Sequence, residues 1–182
     1  MPIPAFDGIL NVLPPHLGDP CVPADLSPFP CTVAELCDRF ATSPKRKSIL
    51  NGFLDFRQEL FNLGLNGFQW LDGSFLEDIA GDPNDIDVVS FTESPMDLSA
   101  LRTHIAKTSP ELLNRDHVKA TYSVDHFLMP LGSKPALIVD HTRYWYGLFS
   151  HRRDRTWKGM LVVKLADKAD DLAARTILGG KP

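Results

Sequence analysis

The stretch LDGSFLEDIAGDPNDIDVV, residues 71–89, puts a Gly-Ser step and an Asp-x-Asp step into one short segment. The run FQWL (68–71) reads as a buried strand leading into the Gly73-Ser74 turn, and DIDVVSF (85–91) as a second strand. Strand side chains alternate, so Asp85 and Asp87 share one face while Ile86 and Val88 point into the core. Two carboxylates on one face repel each other unless a proton or a cation relieves them. One reading is bland: a strand end with solvated aspartates. The other is a divalent-cation site beside a phosphate-binding turn. Oxygen ligands at this spacing suit Mg2+, a hard ion usually shared with substrate phosphates. Two such ions about 3.5–4 Å apart can activate an attacking oxygen and stabilise a departing pyrophosphate. Gly73 allows a tight turn, the amide and hydroxyl of Ser74 can donate to a phosphate, and Pro83-Asn84 sets an extended approach to the aspartates. Asp-x-Asp alone is weak. The ordered series of strand, Gly-Ser turn, spacer, Asp-x-Asp strand and helix is much stronger.

Working outward, CTVAELCDRFA (31–41) has the capping-box pair Thr32 and Glu35, with Val33, Leu36, Cys37 and Phe40 on one helical face. Ser43-Pro44 opens a longer helix in which Ile49, Phe53, Phe56, Leu60 and Leu63 recur at helical period, and Gly64 closes it. On the other side, SPMDLSALRTHIAK predicts a helix with Leu98, Leu101 and Ile105 inward, and SPELLNR starts a shorter one. ATYSVDHFLMPL (120–131) predicts a third strand, and PALIVD (135–140) a fourth paired with it across the turn GSK. TRYWYGLF reads as a short amphipathic helix, KGMLVVKL as a last strand and DKADDLAARTIL as a closing helix ended by Gly179. The first thirty residues are rich in proline and poor in periodicity, which predicts an extended arm. That arm either packs over the domain or docks a protein partner. The expected class is α/β (α+β): a single domain over 31–182, with a mixed sheet flanked by helices, preceded by the proline-rich arm 1–30.

The 182 residues suffice for one domain with its own core. A net charge of −4 argues against a surface coated for non-specific nucleic-acid binding, though not against a local basic cleft. No segment approaches the roughly 18 apolar residues of a membrane span, and MPIPAFDGILNVLPPHLGDP lacks the basic start of a signal peptide. Cys21, Cys31 and Cys37 cannot all pair and lack a close C-x-x-C knuckle. They read as reduced thiols of a cytoplasmic protein, with a disulfide or metal role as the alternative. SHRRDRTWKG gathers His151, Arg152, Arg153, Arg155 and Lys158 into a basic turn that either grips phosphate or is a solvated loop. Tyr144 and Trp145 either stack on a base or belong to the core. In the two VDH phrases each histidine faces away from its neighbouring acid, which disfavours a zinc site. No Gly-x-Ser-x-Gly elbow and no P-loop phrase is present.

GSF followed by DIDVV resembles the signature of the nucleotidyltransferase fold, the polymerase-beta-like superfamily. The resemblance extends to a poorly characterised bacterial nucleotidyltransferase-like family, whose phrases appear here in order as FDGILNVLPPH, FQWLDGSF, PNDIDVV and RYWYGLFSHRRDRTWKGMLVV. His16 stands where a glycine is usual, NV separates GIL from LPP, and residues 18–30 look like an insertion. The resemblance implies a Mg2+- or Mn2+-dependent transfer of a nucleoside monophosphate from an NTP to a protein, RNA or small-molecule acceptor. Free-standing proteins of this fold include toxin–antitoxin and phage-defence components. It also implies a third acidic residue on a following strand: Asp125 is favoured over Asp140, and would complete the metal and catalytic set with Asp85 and Asp87 and take the proton of the attacking hydroxyl. Gly73, Ser74, Arg153 and Lys158 are the implied nucleotide-binding residues. Without a third carboxylate, such a chain binds nucleotides or partners through the same fold and transfers nothing.

Overall fold

Helix starts follow local chemistry. The structure, a computed structural model, describes residues 3–179. Helix α1 (Val33–Phe40) begins with the expected capping box: the Glu35 amide donates to Thr32 Oγ1 over 3.0 Å, and the Thr32 amide to Glu35 Oε2 over 2.8 Å. Helix α2 (Pro44–Asn62) is capped by the Ser43 hydroxyl, which accepts from the Arg46 amide, and carries proline in its first turn. Strand β2 (Gly67–Asp72) runs into a 3-10 turn at Ser74–Leu76. Strand β3 (Ile86–Thr92) follows, then α3 (Leu98–Thr108), a second 3-10 turn at Pro110–Leu113, and α4 (Arg115–Tyr122), capped by Asn114. Strand β4 (Val124–Pro130), α5 (Pro135–Phe149), β5 (Leu161–Leu165) and α6 (Lys168–Ile177) complete the described chain. A two-residue strand, β1 (Phe29–Pro30), precedes them all.

The fold is mixed α/β. One five-stranded sheet has the order β1-β5-β2-β3-β4. β2 is antiparallel to both β3 and β5, whereas β3–β4 and β1–β5 are parallel. The two parallel pairs need crossovers, and α3 with α4 supplies the one between β3 and β4. Alternation divides the sheet into two faces. Leu71, Ile86, Val88, Val124, Leu161 and Val163 join residues of α1, α2, α3, α4 and α6 in the larger core. Trp70, Val89, Phe91 and Met129 face the other way, where α5 brings Trp145 and Phe149.

Two strand expectations need correction. PALIVD is the first part of α5, not a strand. Pro135 at the first helical position presets the backbone, and Ile138, Trp145 and Phe149 then pack on the sheet at helical spacing. The branched residues that suggest a strand are instead the start of a helix whose Leu137 and Val139 are exposed. The third strand also starts later than expected: residues 120–122 close α4, and Ser123, at φ +56°, turns the chain into β4.

The N-terminal segment runs over the domain. Leu13 and Phe29 lie in the larger core, and the Gly159 amide donates to the Leu13 carbonyl over 2.7 Å. The Asp78 amide donates to the Asn11 carbonyl, which ties this segment to the loop between the Gly-Ser turn and the aspartates. Among the described residues no helix is long and apolar enough to cross a membrane.

Candidate functional site

Sheet register brings three aspartates together. Asp72 at the end of β2 pairs with Asp87 in β3, which pairs in turn with Asp125 in β4. Residues opposite one another in a ladder share a face, so all three carboxylates stand on the α5 side. Asp85 joins them just before β3. They line a cleft of about 720 Å³ together with Gly73, Ser74 and the basic turn after α5. Phe127 of β4 and Leu148 and Phe149 at the end of α5 form its apolar wall.

Each carboxylate has a different electrostatic setting. Asp125 is bound through both oxygens: Arg115 Nε donates to Oδ1 over 2.5 Å and Arg115 Nη2 to Oδ2 over 2.7 Å. Lys119, one helical turn on from Arg115, bridges Asp125 Oδ2 at 3.2 Å and Asp85 Oδ2 at 2.5 Å. Burial acts to raise the Asp125 pKa, but the bonds and charges of Arg115 and Lys119 together outweigh it and hold this carboxyl below its usual range. Asp87 has no hydrogen-bond donor on its carboxylate among the described residues. Burial, then the charges of Asp85 and Asp125, push its pKa up to about 6. Asp72 is pushed up by burial, to about 7, against the pull of Lys158.

A second network stands behind the first. Lys158 is buried, with its ammonium 2.9 Å from Asp72 Oδ1, at an angle outside hydrogen-bond geometry, and 3.0 Å from Glu77 Oε1. Arg152 reaches Glu77 Oε2 through Nε over 2.9 Å. Glu77 itself ends the 3-10 turn that presents Ser74, so the basic turn is tied to the Gly-Ser turn. Arg46, from α2, braces the same turn from behind by donating to the carbonyls of Phe75 and Glu77.

The expected residues separate clearly in space. Asp85, Asp87, Asp125, Gly73, Ser74, Arg153 and Lys158 all line the one cleft. Ser74 and Arg153 are exposed at its rim, whereas Lys158 is enclosed by Asp72 and Glu77. Asp140 lies on α5, is exposed, and pairs with Arg143 outside the cleft. Trp145 belongs to the smaller core, and Tyr144 is exposed and outside the cleft lining. His126 faces away from Asp125, packs on Phe56 and lies 2.8 Å from Ser90 Oγ through Nε2. Cys21, Cys31 and Cys37 are free thiols, and burial raises Cys31 and Cys37 to about 12, so neither is a ready nucleophile. Among the described residues no three His, Cys, Asp or Glu side chains already stand grouped as metal ligands. Arg115 and Lys119 supply the positive charge between them.

Asp72, Glu77, Arg115 and Lys119 are cleft residues that the sequence reading did not single out. The signal for Arg115 and Lys119 is their i,i+4 spacing in RDHVK just ahead of Asp125, readable only once residues 115–122 are taken as helix. No curated protein and no solved structure matches the chain. Residues 4–164 match a family of unknown function, DUF6932, and the chain belongs to that family.

Proposed function

We propose that this chain is a divalent-cation-dependent nucleotidyltransferase of the polymerase-beta-like fold, moving a nucleoside monophosphate from an NTP to an acceptor hydroxyl. The observation that carries the reading is the direct register of Asp87 with Asp125 on adjacent parallel strands, one strand away from the Gly73–Ser74 turn. The donor set fits a hard cation: oxygen ligands only, with Asp87 left without a hydrogen-bond donor between two other carboxylates. Asp85, Asp87 and Asp125 would hold Mg2+ or Mn2+, which when bound neutralises charge building on the phosphates and lowers the pKa of the attacking hydroxyl.

The chain's own residues supply the rest. Ser74 and Arg153 at the rim meet the phosphates, and Lys158 and Arg152 behind them fix Glu77 and so the turn that presents Ser74. The acceptor enters on the β4 side, where Asp125 takes its hydroxyl proton. The acceptor oxygen bonds to the α-phosphorus, the bond from that phosphorus to the bridging oxygen breaks, and pyrophosphate leaves with the electron pair. The test is incubation with Mg2+ or Mn2+, each α-labelled NTP and total RNA or protein, beside an Asp85→Ala/Asp87→Ala variant. Metal-dependent label transfer that falls to background in the variant is expected. No transfer with any NTP, or transfer unchanged in the variant, overturns the reading.

A second reading has one observation in its favour. Both oxygens of Asp125 are already engaged by Arg115 and Lys119, which suits a protein that keeps the fold to bind a nucleotide or partner without transfer. Nucleotide binding without label transfer would favour it.

A further inference from the structure

The cleft is nearly balanced in charge: six carboxylates and five lysine or arginine side chains line it. On its β4 side the balance is made by two residues, Arg115 and Lys119, one turn apart on α4. Their side chains are 57% and 46% exposed, while those of their partners Asp125 and Asp85 are only 7% and 17% exposed. Asp125 is fixed by its strand, and both carboxylates are held by burial. The cations reach in from solvent on long flexible stems, and Arg115 also lies across the Phe127 ring, its guanidinium carbon 4.6 Å from the ring centroid. Release therefore asks for side-chain rotation at α4 and no rearrangement of the sheet.

We propose that Arg115 and Lys119 are an exchangeable counter-ion pair that makes the cleft bind a divalent cation and a phosphate-bearing ligand together. In the free protein the pair neutralises Asp85 and Asp125. A cation entering alone must expel the two basic groups and leave them without anionic partners. A phosphate entering alone draws the basic groups off and leaves Asp85, Asp87 and Asp125 facing one another with no relief. When both enter, the carboxylates take the cation and Arg115 and Lys119 turn to the phosphate oxygens, so that each group faces a partner of opposite sign. Arginine suits this exchange because its planar fork fits a phosphate as well as a carboxylate. Coupling of this kind is reciprocal: each ligand tightens the other by the same factor.

This inference rests on the proposed phosphate and cation chemistry of the cleft, but its test needs no turnover. Mn2+ binding is measured by electron paramagnetic resonance, metal-free pyrophosphate binding by calorimetry in the presence of a chelator, and binding of preformed Mn2+–pyrophosphate by calorimetry. The wild-type protein should bind each component weakly and the preformed complex about tenfold or more tighter than either. In an Arg115→Gln/Lys119→Gln variant, Mn2+ alone should bind about tenfold tighter while metal-free pyrophosphate binding is lost. Lys119→Gln alone, which leaves the Arg115 fork on Asp125, should move both values the same way by less. Arg143→Gln, outside the cleft, should change neither, and Lys119→Arg should restore wild-type weakness toward Mn2+. Melting curves establish that each variant is folded, and the single variant carries the test if the double variant is not. Mn2+ affinity unchanged in both glutamine variants, or raised equally by Arg143→Gln, overturns the exchange. The two readings fail separately. Absent label transfer with the coupling intact removes transfer alone, and label transfer with uncoupled binding removes the exchange alone.

Discussion

Gly73 sits at φ +88°, and a Cβ built there would run into the carboxylate of Asp87. The glycine thus does two things at once: it permits the left-handed turn and it makes room for the central aspartate of the cleft. Gly64 also has positive φ, at +73°, but a Cβ there meets nothing within 4 Å. The pair separates backbone cost from steric cost. Gly64→Ala should lose about 1 kcal/mol of stability in urea denaturation, the backbone term alone. Gly73→Ala should lose about 2–3 kcal/mol, because the Asp87 carboxylate must be displaced as well. Equal losses at the two positions would show that the carboxylate has room to move. At this scale the shared face of Asp85 and Asp87 was legible from strand alternation, and Asp125 was legible only through the resemblance, which asks for a third acid on a following strand. Asp72 was not. Its place opposite Asp87 depends on the β2–β3 register, and with a connection over residues 73–85 no short turn dictates that register.

Between elements, a buried polar chain crosses the helix-bearing face of the sheet. Arg57 on α2 donates from Nε to Asp171 of α6 over 2.9 Å, from Nη1 to Gln69 Oε1 of β2 over 2.6 Å, and from Nη2 to the Lys164 carbonyl of β5 over 2.9 Å. Gln69 Nε2 in turn donates to Ser90 Oγ of β3, which meets His126 of β4. One guanidinium therefore ties two helices to two strands, and the chain continues across two more. Arg57→Met keeps much of the volume but leaves Asp171, Gln69 and the Lys164 carbonyl without their donor, so a loss of about 3–5 kcal/mol is expected. The Arg175–Asp55 pair also joins α6 to α2 but is far more exposed, and Arg175→Ala should cost under about 1 kcal/mol. Chemical denaturation of both variants checks the contrast, and similar losses would refute it. Periodicity could not reveal this chain, because Arg57 and Gln69 sit among apolar neighbours and become partners only through packing. The same limit explains PALIVD. Branched residues and a turn before them match a strand locally, and only the apolar surface offered by Trp70, Phe91 and Met129 decides in favour of a helix that seats Trp145 and Phe149.

For the whole molecule, one buried histidine opposes two buried carboxyls as pH changes. His126 is buried, and desolvation lowers its pKa from 6.5 to about 3 despite the charge of Asp125. It is neutral when folded and cationic when unfolded below about pH 6.5, so its contribution to stability is present above that pH and is lost progressively as pH falls toward 3. Asp87 has the reverse sign. Its pKa is raised from 3.8 to about 6, so the folded state holds a proton that the unfolded state has released. Its contribution is present below about pH 4 and is lost as pH rises through 6. Asp72, pushed up by burial to about 7, adds a slope of the same sign, so between those limits the melting temperature of the wild-type protein should fall as pH rises. Removing either side should expose the other. Asp72→Asn/Asp87→Asn should melt at progressively higher temperature as pH is raised from about 4 to 6, because the histidine is then the one of these three groups that remains. His126→Gln, even if less stable overall, should melt at progressively lower temperature over the same range. Parallel profiles for the two variants would mean that neither group governs the pH response. Opposite slopes would place the acidic cleft on one face of the sheet and the buried histidine on the other as two electrostatic loads of opposite sign on one fold.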